Sequence, residues 1–561
     1  MLSVIVIWIY MLLTTFPIGY EIMYVVARGT PYRIKHKDSY LICGLVSVTV
    51  YAQFVSLIGP VGLAANFVLC TANLVIIWVR RRILGDMLRE VWSNIRENRL
   101  GERGRMFSIL FLFLLFAYGA SRGIIHYDTS LYHAQSIRWI EEYGVVKGLG
   151  NLHCRLAYNS SSFALSALYS MAFLGGQSYH CAAGWLAFLL AKICMEIAES
   201  LRFGRLRTSD FARVMGIYYL VIIFDEMISP ASDYFMVLLA FYIIIRWLEL
   251  SEDQVEEMLP YAMLCVLGVF LMTVKLSAAL ILLLVIYPAY HLLRRKQWRE
   301  IAVYLILGIV TALPYFIRNI LLSGWLVYPF TQIDLFDVTW KIPKGVADYD
   351  AKEIQVWGRG YTDVNRYDIS MSEWLPEWFR SLTGSDKLFV TAAMISVCIL
   401  LVCSIGMLCR LWKGRLNVLL VQITVAGSFI FWLCTSPLIR YGCVYVYLTS
   451  AVVLGGVYDR LLSVSEHGAL KLCGIAVVSI LLVYKCAALG KEIVVSHSND
   501  YWVAQKDYEN YETRSYRIEG INFYYPIEGD RVGYESFPSA PVKTEVRFLG
   551  QNIGDGFAAG N

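Results

Sequence analysis

Hydrophobic runs of membrane-spanning length recur from one end of the chain to the other, broken by short polar and charged turns. Runs at 3–26, 39–58, 61–79, 106–121, 180–199, 212–228, 233–248, 260–274, 276–293, 301–322, 386–410, 416–435, 442–460 and 469–488 predict about 14 transmembrane helices. The pattern therefore predicts an all-α polytopic membrane protein. Residues 160–175 (SSFALSALYSMAFLGG) are apolar but short for a crossing, and predict an interfacial or re-entrant helix on the outer face. The tail 490–561 changes character. Its alternating segment EGINFYYPIEGDRVGYESFPSAP predicts strands and turns of a small appendage.

Composition agrees with this reading. Of 561 residues, 58% are hydrophobic and 17% charged, with a mean hydropathy of +0.55. The net charge of +5 does not point to nucleic acid, because the cations cluster in turns between spans, where they set topology. Arg80–Arg105, Arg202–Arg213 and Arg294–Arg299 mark three such turns as cytoplasmic. Parity then leaves 160–175 uncrossed and puts both termini outside. The long segments 121–179, 323–385 and 490–561, and the turn around Asp233, fall together on that outer side. Residues 1–26 lack a basic leader and a small-residue cleavage site, so they predict a retained first span. The cysteines are scattered singly, without metal-type spacing.

Polar residues at the mouth of a span are costly unless they bind, conduct or catalyse. The richest stretch is His126–Ser162, HYDTSLYHAQSIRWIEEYGVVKGLGNLHCRLAYNSSS. Asp128 there fits a general base or a metal ligand, and equally an N-cap for the following helix. His126, His133 and His153 add imidazoles to the same stretch. Three isolated cations, Lys275, Arg318 and Arg440, lie near the same predicted face and suit a phosphate or pyrophosphate. Snorkelling to headgroups would also place them there. Asp233 lies in a Ser-Pro-Ala-Ser-Asp turn, where function and helix capping both fit. Asp334, Asp337, Trp340, Trp357, Arg359, Trp374 and Trp378 in 323–385 suit stacking on sugar rings, or contact with the bilayer surface.

The run from Tyr127 to Ser162, with SPASD, TVKLS and the Pro-x-x-x-Arg-Asn…Tyr-Pro segment, resembles the GT-C superfamily of integral-membrane glycosyltransferases. It is most similar to a large set of bacterial members. The resemblance covers roughly 106–330, and less closely the Pro437–Tyr441 turn. It implies a many-helix fold around a cavity opening to the non-cytoplasmic side of the plasma (bacterial inner) membrane. The implied donor is a polyprenyl-phosphate-linked sugar, and the acceptor a glycan, lipid or protein. By motif position Asp128 takes the catalytic acid site. Asp233, Lys275, Arg318, Asn319, Tyr328, Arg440, Tyr441, His133 and Asn159 take substrate-binding positions. No cofactor is firmly implied. A divalent ion such as Mg or Mn would look to Asp128, His126 and Asp233, although a single acid stands where some families show a pair. The domains expected are an N-terminal three-span addition (1–105), a catalytic membrane module (106–322), an outer loop (323–385), C-terminal spans (386–489) and an outer tail (490–561). A lipid-linked glycan transporter or flippase, and a glycan polymerase or ligase, are the alternative readings.

Overall fold

The computed structural model describes residues 1–96, 100–203, 206–408, 416–461, 468–496 and 500–560. Among the described residues twenty α-helices follow one another. They are α1 (Leu2–Ala27), α2 (Asp38–Ser56), α3 (Leu63–Val79), α4 (Arg81–Arg96), α5 (Leu100–Ser121), α6 (Ala134–Glu142) and α7 (Ser161–Leu168). Next come α8 (Ala182–Cys194), α9 (Ile197–Phe203), α10 (Thr208–Ile222), α11 (Ser232–Glu252), α12 (Met258–Val274), α13 (Ile286–Arg294) and α14 (Trp298–Ser323). The series ends with α15 (Lys344–Gly358), α16 (Met371–Ser381), α17 (Gly384–Leu408), α18 (Leu416–Thr435), α19 (Ile439–Leu461) and α20 (Gly468–Ser496). Four short strands, β1 (Thr513–Ile518), β2 (Ile521–Pro526), β3 (Val546–Phe548) and β4 (Phe557–Ala559), pair as two antiparallel hairpin-like sheets in the tail. The predicted alternating segment contains one of these strands, β2, and the predicted tail begins inside α20.

Helix α11 is the axis of the bundle. Its side chains from Asp233 to Glu249 are all buried, and it packs against α8, α10, α12, α18 and α19. Other helices keep an apolar face turned outward, as at Phe67, Leu74 and Trp78 of α3 or Leu305, Ile306 and Ile309 of α14. A helix that exposes such a face needs an apolar surround, and a bilayer provides one. At α1 and α2 the contact is backbone to backbone. A Cβ on Gly19 would lie 1.8 Å from the Tyr40 carbonyl oxygen, and one on Gly44 the same distance from that of Thr15. Small residues permit this close approach, as between helices in lipid.

Among the described residues nine helices are long and apolar enough to cross a membrane, or ten if the bent pair α3–α4 counts as one span. That is fewer than the 14 runs predict. The run at 180–199 becomes α8, with 13 residues, and the run at 212–228 becomes α10, with 15. Both pack inside the bundle. The run at 260–274 lies in α12, of 17 residues. Apolar runs buried against protein carry the same composition as runs facing lipid, so hydropathy counts both. The last predicted run, 469–488, lies in α20, part of whose side chains fall outside the described residues. The segment 160–175 forms no long helix. Instead α7 has all eight residues buried, with Ser160 and Ser161 donating to the Val274 and Thr273 carbonyls at 2.8 and 3.1 Å. The 80–105 turn contains a helix over Arg81–Arg96. Its amphipathic helix α4 turns 80° away from α3.

Candidate functional site

The chain leaves α5 through Gly123, whose φ of +119° a side chain would strain. A Cβ there would also meet the Asp225 carbonyl oxygen at 2.2 Å. The closeness has a purpose, since the Ile124 amide donates to that carbonyl at 2.7 Å. Arg122 pairs with the Asp225 carboxylate at 3.0 Å, and the His126 amide donates to Ser229 Oγ at 2.7 Å. Residues 122–126 are thereby laced to the turn between α10 and α11. That turn leads into the first turn of α11, which carries Asp233, so the two acids are set relative to each other by these bonds.

Asp128 then opens a single turn of π-helix, Thr129–His133, which feeds into α6. Such turns are rare and gather at functional positions. The Asp128 side chain makes no capping bond to that turn. It pairs with Arg440 at 2.8 Å instead. Asp233 behaves alike. Ala231 is the residue that caps α11, and the Asp233 carboxylate bonds Lys275 and lies 3.6 Å from Arg440 Nε. Both acids are thus directed at cations rather than at helix ends.

The cations reach this point by different routes. Lys275 stands in extended backbone between α12 and the 3₁₀ turns Leu276–Val285 that precede α13. Arg440 is in the first turn of α19. Its height there depends on Gly442, where a Cβ would lie 2.3 Å from the Trp432 ring. The Trp432 indole donates to the Leu438 carbonyl at 2.9 Å, which fixes the turn ahead of Arg440. Tyr441 completes the group, with Lys275 Nζ 4.2 Å and the Arg440 guanidinium 5.1 Å from its ring centroid. Arg440 also donates to His126 Nε2. Burial, and then the neighbouring Arg440, push His126 below the ordinary imidazole value. It is therefore neutral and accepts.

Acid and base alternate through the group as Asp128, Arg440, Asp233 and Lys275. Side-chain exposures of 19%, 27%, 8% and 22% leave it open to solvent-sized molecules. The Arg440 Nε is buried and makes no hydrogen bond, only the 3.6 Å ion pair with Asp233. A guanidinium with a donor to spare beside an ammonium is suited to a phosphate oxygen. The same guanidinium stands between Asp128 and Asp233, where the sequence reading would seat a metal ion. The described donors that do lie within 4.8 Å of one another are His36, Asp38 and Glu196, elsewhere in the molecule. Arg246 already bonds both of those acids.

Other predicted residues form a second, tighter cluster. Arg318 is 2% exposed, with its Nε donating to Asn159 Oδ1 at 2.9 Å and a further bond to Ser56 Oγ. The Asn159 amide donates to the Tyr315 carbonyl at 2.8 Å, and that of Asn319 to the Leu326 carbonyl at 3.0 Å. Tyr328 and Tyr158 donate to the two oxygens of Asp350 at 2.9 and 2.7 Å. Burial pushes the Asp350 carboxyl above the usual carboxylate range. Tyr132 packs edge-on to Tyr158 with 5.6 Å between ring centroids, and so links this cluster to the Asp128 turn. The structure does not bring Arg318 to the Arg440 group. His133 is likewise buried. It lies against Tyr132 and Phe163 and shares a 3.2 Å contact with Thr129 Oγ1. Burial pushes it well below the ordinary value, so it is a neutral packing histidine. His153 Nδ1 accepts from the Arg155 amide at 3.3 Å and caps the short turn Cys154–Ala157.

In 323–385 the aromatic residues are largely committed. Trp374 and Trp378 are 1% and 5% exposed, Arg359 stacks over Trp374, and Arg155 covers Trp357. Trp340 donates to the Ile320 carbonyl at 3.0 Å. Trp374 and Trp378 thus pack into the protein, while Trp357 stays 37% exposed.

The sequence reading missed the tail's part in the site. Tyr127 donates to Asp530, and Arg531 lies 5.2 Å over the Tyr127 ring. The Val532 and Gly533 amides donate to the Ser130 carbonyl at 2.9 and 2.8 Å. Gln135 and Arg138 of α6 hold the carbonyls of 533–536. The tail is clamped to the very turn that carries Asp128. No motif marks Asp530 or Arg531, and only chain folding brings them there.

The chain belongs to the family described as "Domain of unknown function (DUF8201)", whose profile matches residues 1–447. The match spans Asp128, Asp233, Lys275, Arg440 and Tyr441, and stops short of the tail. Neither the curated proteins nor the solved structures contain a match to the chain.

Proposed function

We propose that the chain is a membrane glycosyltransferase. It moves a sugar from a polyprenyl-phosphate or -pyrophosphate donor to an acceptor on the non-cytoplasmic face. The observation that carries this reading is the convergence of Asp128, Arg440, Asp233, Lys275 and Tyr441, drawn from four separate segments, into one partly open group. Transfer from a lipid phosphate needs a base for the acceptor hydroxyl and cations for the departing phosphate. Here both stand side by side.

In the resting state Arg440 pairs with Asp128 at 2.8 Å. The donor phosphate competes for the guanidinium, whose Nε makes no hydrogen bond and only a 3.6 Å ion pair with Asp233, and so releases Asp128 toward the acceptor. Asp128 takes the acceptor's hydroxyl proton as the new sugar–oxygen bond forms. The bond from the sugar carbon to the phosphate oxygen breaks, and Arg440 and Lys275 neutralise the charge left on phosphate. Asp233 keeps the two cations apart and oriented. The tail loop 530–536 borders the Asp128 turn and contributes to the acceptor side, with Arg531 and Tyr127 as its nearest side chains.

The test is mass spectrometry of polyprenyl-linked sugars in cells carrying the wild-type chain or Asp128→Asn. A donor that accumulates only with the variant supports transfer and identifies the sugar. No accumulation, with the variant folded and the pathway active, would overturn the assignment in favour of transport.

A further inference from the structure

At the opposite end of the bundle from Asp128, α1, α2, α11, α12 and α14 enclose a cavity of about 610 Å³. Its polarity is graded. The mouth is formed by Tyr32, Arg33, Lys35 and His36 of the α1–α2 connection, together with Asp253 at the end of α11. The interior is apolar, lined on α2 by Ile42, Val46, Val50 and Phe54 and across the groove by Leu264 and Leu267 of α12. Ser39 to Phe54 spans about 22 Å of helix. The hydrocarbon of one leaflet is about 15 Å deep, so the groove accepts a full acyl chain lying along α2.

Charge at the mouth selects the head group. The acids there are already matched. Lys35 and Arg207 pair with Asp253 at 2.5 and 2.9 Å, and Glu249 is held by Arg213 and Arg246. Arg33 is exposed, and among the described residues it has no carboxylate partner. It is the cation left to meet an anion, with the Tyr32 and Ser39 hydroxyls lining the same rim. A guanidinium at the rim of an apolar slot is complementary to a phosphate esterified to an acyl glycerol.

We infer that this groove is a binding site for one glycerophospholipid of the adjacent leaflet, its phosphate on Arg33 and one acyl chain between α2 and α12. The lipid fills the seam where the α1–α2 hairpin meets the rest of the bundle. It is a resident of the fold at the end of α11 away from Asp128, and its presence does not depend on the transfer reaction.

The experiment uses the full chain in nanodiscs with a phosphatidylglycerol probe carrying a photoreactive group on its acyl chain. Parallel samples receive a diacylglycerol with the same reactive chain. Wild-type protein should crosslink the phospholipid at 42–54 and 263–267. Ser47→Trp, at a half-buried lining position whose hydroxyl bonds only its own helix, should abolish that labelling by filling the slot. Arg33→Glu, on an exposed loop side chain, should weaken phospholipid labelling about tenfold, the worth of a charge-assisted bond, and leave diacylglycerol labelling unchanged. Labelling spread evenly over the outer helix faces, or indifferent to Ser47→Trp, would overturn the site. Equal labelling by both probes, unchanged in Arg33→Glu, would overturn the head-group assignment. Should Ser47→Trp fail to fold, the Arg33 variant and the labelled positions still decide.

Discussion

Helix α11 carries an ionic cluster at each end, about 24 Å apart along its axis, and the two are built on opposite plans. Near its start, Asp233 meets Lys275 and Arg440, and through Arg440 reaches Asp128. These side chains are between 8% and 27% exposed. Near its end, Arg246 bonds Asp38 at 3.0 Å, Glu196 at 2.7 Å and Glu249 at 2.6 Å. Arg213 bonds Asp210 at 2.6 Å and also Glu249. Its side chain is 0% exposed, and that of Asp210 is 1%. The second cluster is closed by burial, its carboxylates paired with guanidinium groups across α2, the α8–α9 junction, α10 and α11, although the Arg213 and Arg246 Nε atoms, like that of Arg440, have no hydrogen-bond partner. The first is reachable, and its members come from loops, helix starts and a helix break. A closed network fixes how helices sit. An open one of similar composition can exchange a partner for a substrate.

The largest effect that would sharpen this contrast is chemical. Asp128→Asn should lower transfer by about 10²–10⁴-fold, the usual worth of a positioned general base, with melting temperature and lipid binding unchanged. Near-wild-type turnover would remove Asp128 from the role. Next comes stability at the closed end. Arg213→Ala strands buried carboxylates and should cost about 3–5 kcal/mol, read as a sharply lower melting temperature or loss of protein from the membrane. Arg440→Ala removes a more exposed partner and should cost about 1 kcal/mol or less. A comparable stability loss in both variants would erase the distinction drawn between the two ends. The Arg440 variant should instead weaken the donor about tenfold, one charge-assisted bond, with a smaller change for the acceptor, as KM values measured separately would show.

The smallest effect is a pH dependence at the closed end. Burial, and then Arg246, lower His36 from 6.5 to about 4, so it is neutral when folded at neutral pH. The unfolded chain takes up a proton near 6.5 while the folded chain does not. The contribution is therefore intact above pH 6.5 and is lost as pH falls toward 4. Melting curves at pH 7.5 and 5 should show the wild type losing more than His36→Gln. Equal losses would mean that His36 does not contribute.

Much of the site was legible residue by residue. Asp128, Asp233, Lys275 and Arg440 stand out because each is an isolated charge at the edge of an apolar run, where solvation is poor. What the chain could not reveal is which of these meet. Arg318 has the same local character as Arg440, yet it is buried against Asn159 and Ser56. The capping alternatives for Asp128 and Asp233 were equally open, and only side-chain direction closed them. The tail offers no motif, and its Asp530 and Arg531 reach Tyr127 across roughly 400 residues of chain.

By itself the sequence determined a mostly helical protein with helices long and apolar enough to cross a membrane, because hydropathy and side-chain period are local properties that survive any arrangement of the helices. It also marked the residues whose charge would be expensive without a partner. Tertiary structure alone decided which apolar runs keep an outward-facing side and which are buried among helices, since both settings accept the same side chains. It decided too which cation answers which acid. Ion pairing depends on distances of a few ångströms, and those are set by backbone contacts such as the Ile124–Asp225 bond and the seat of Trp432 over Gly442.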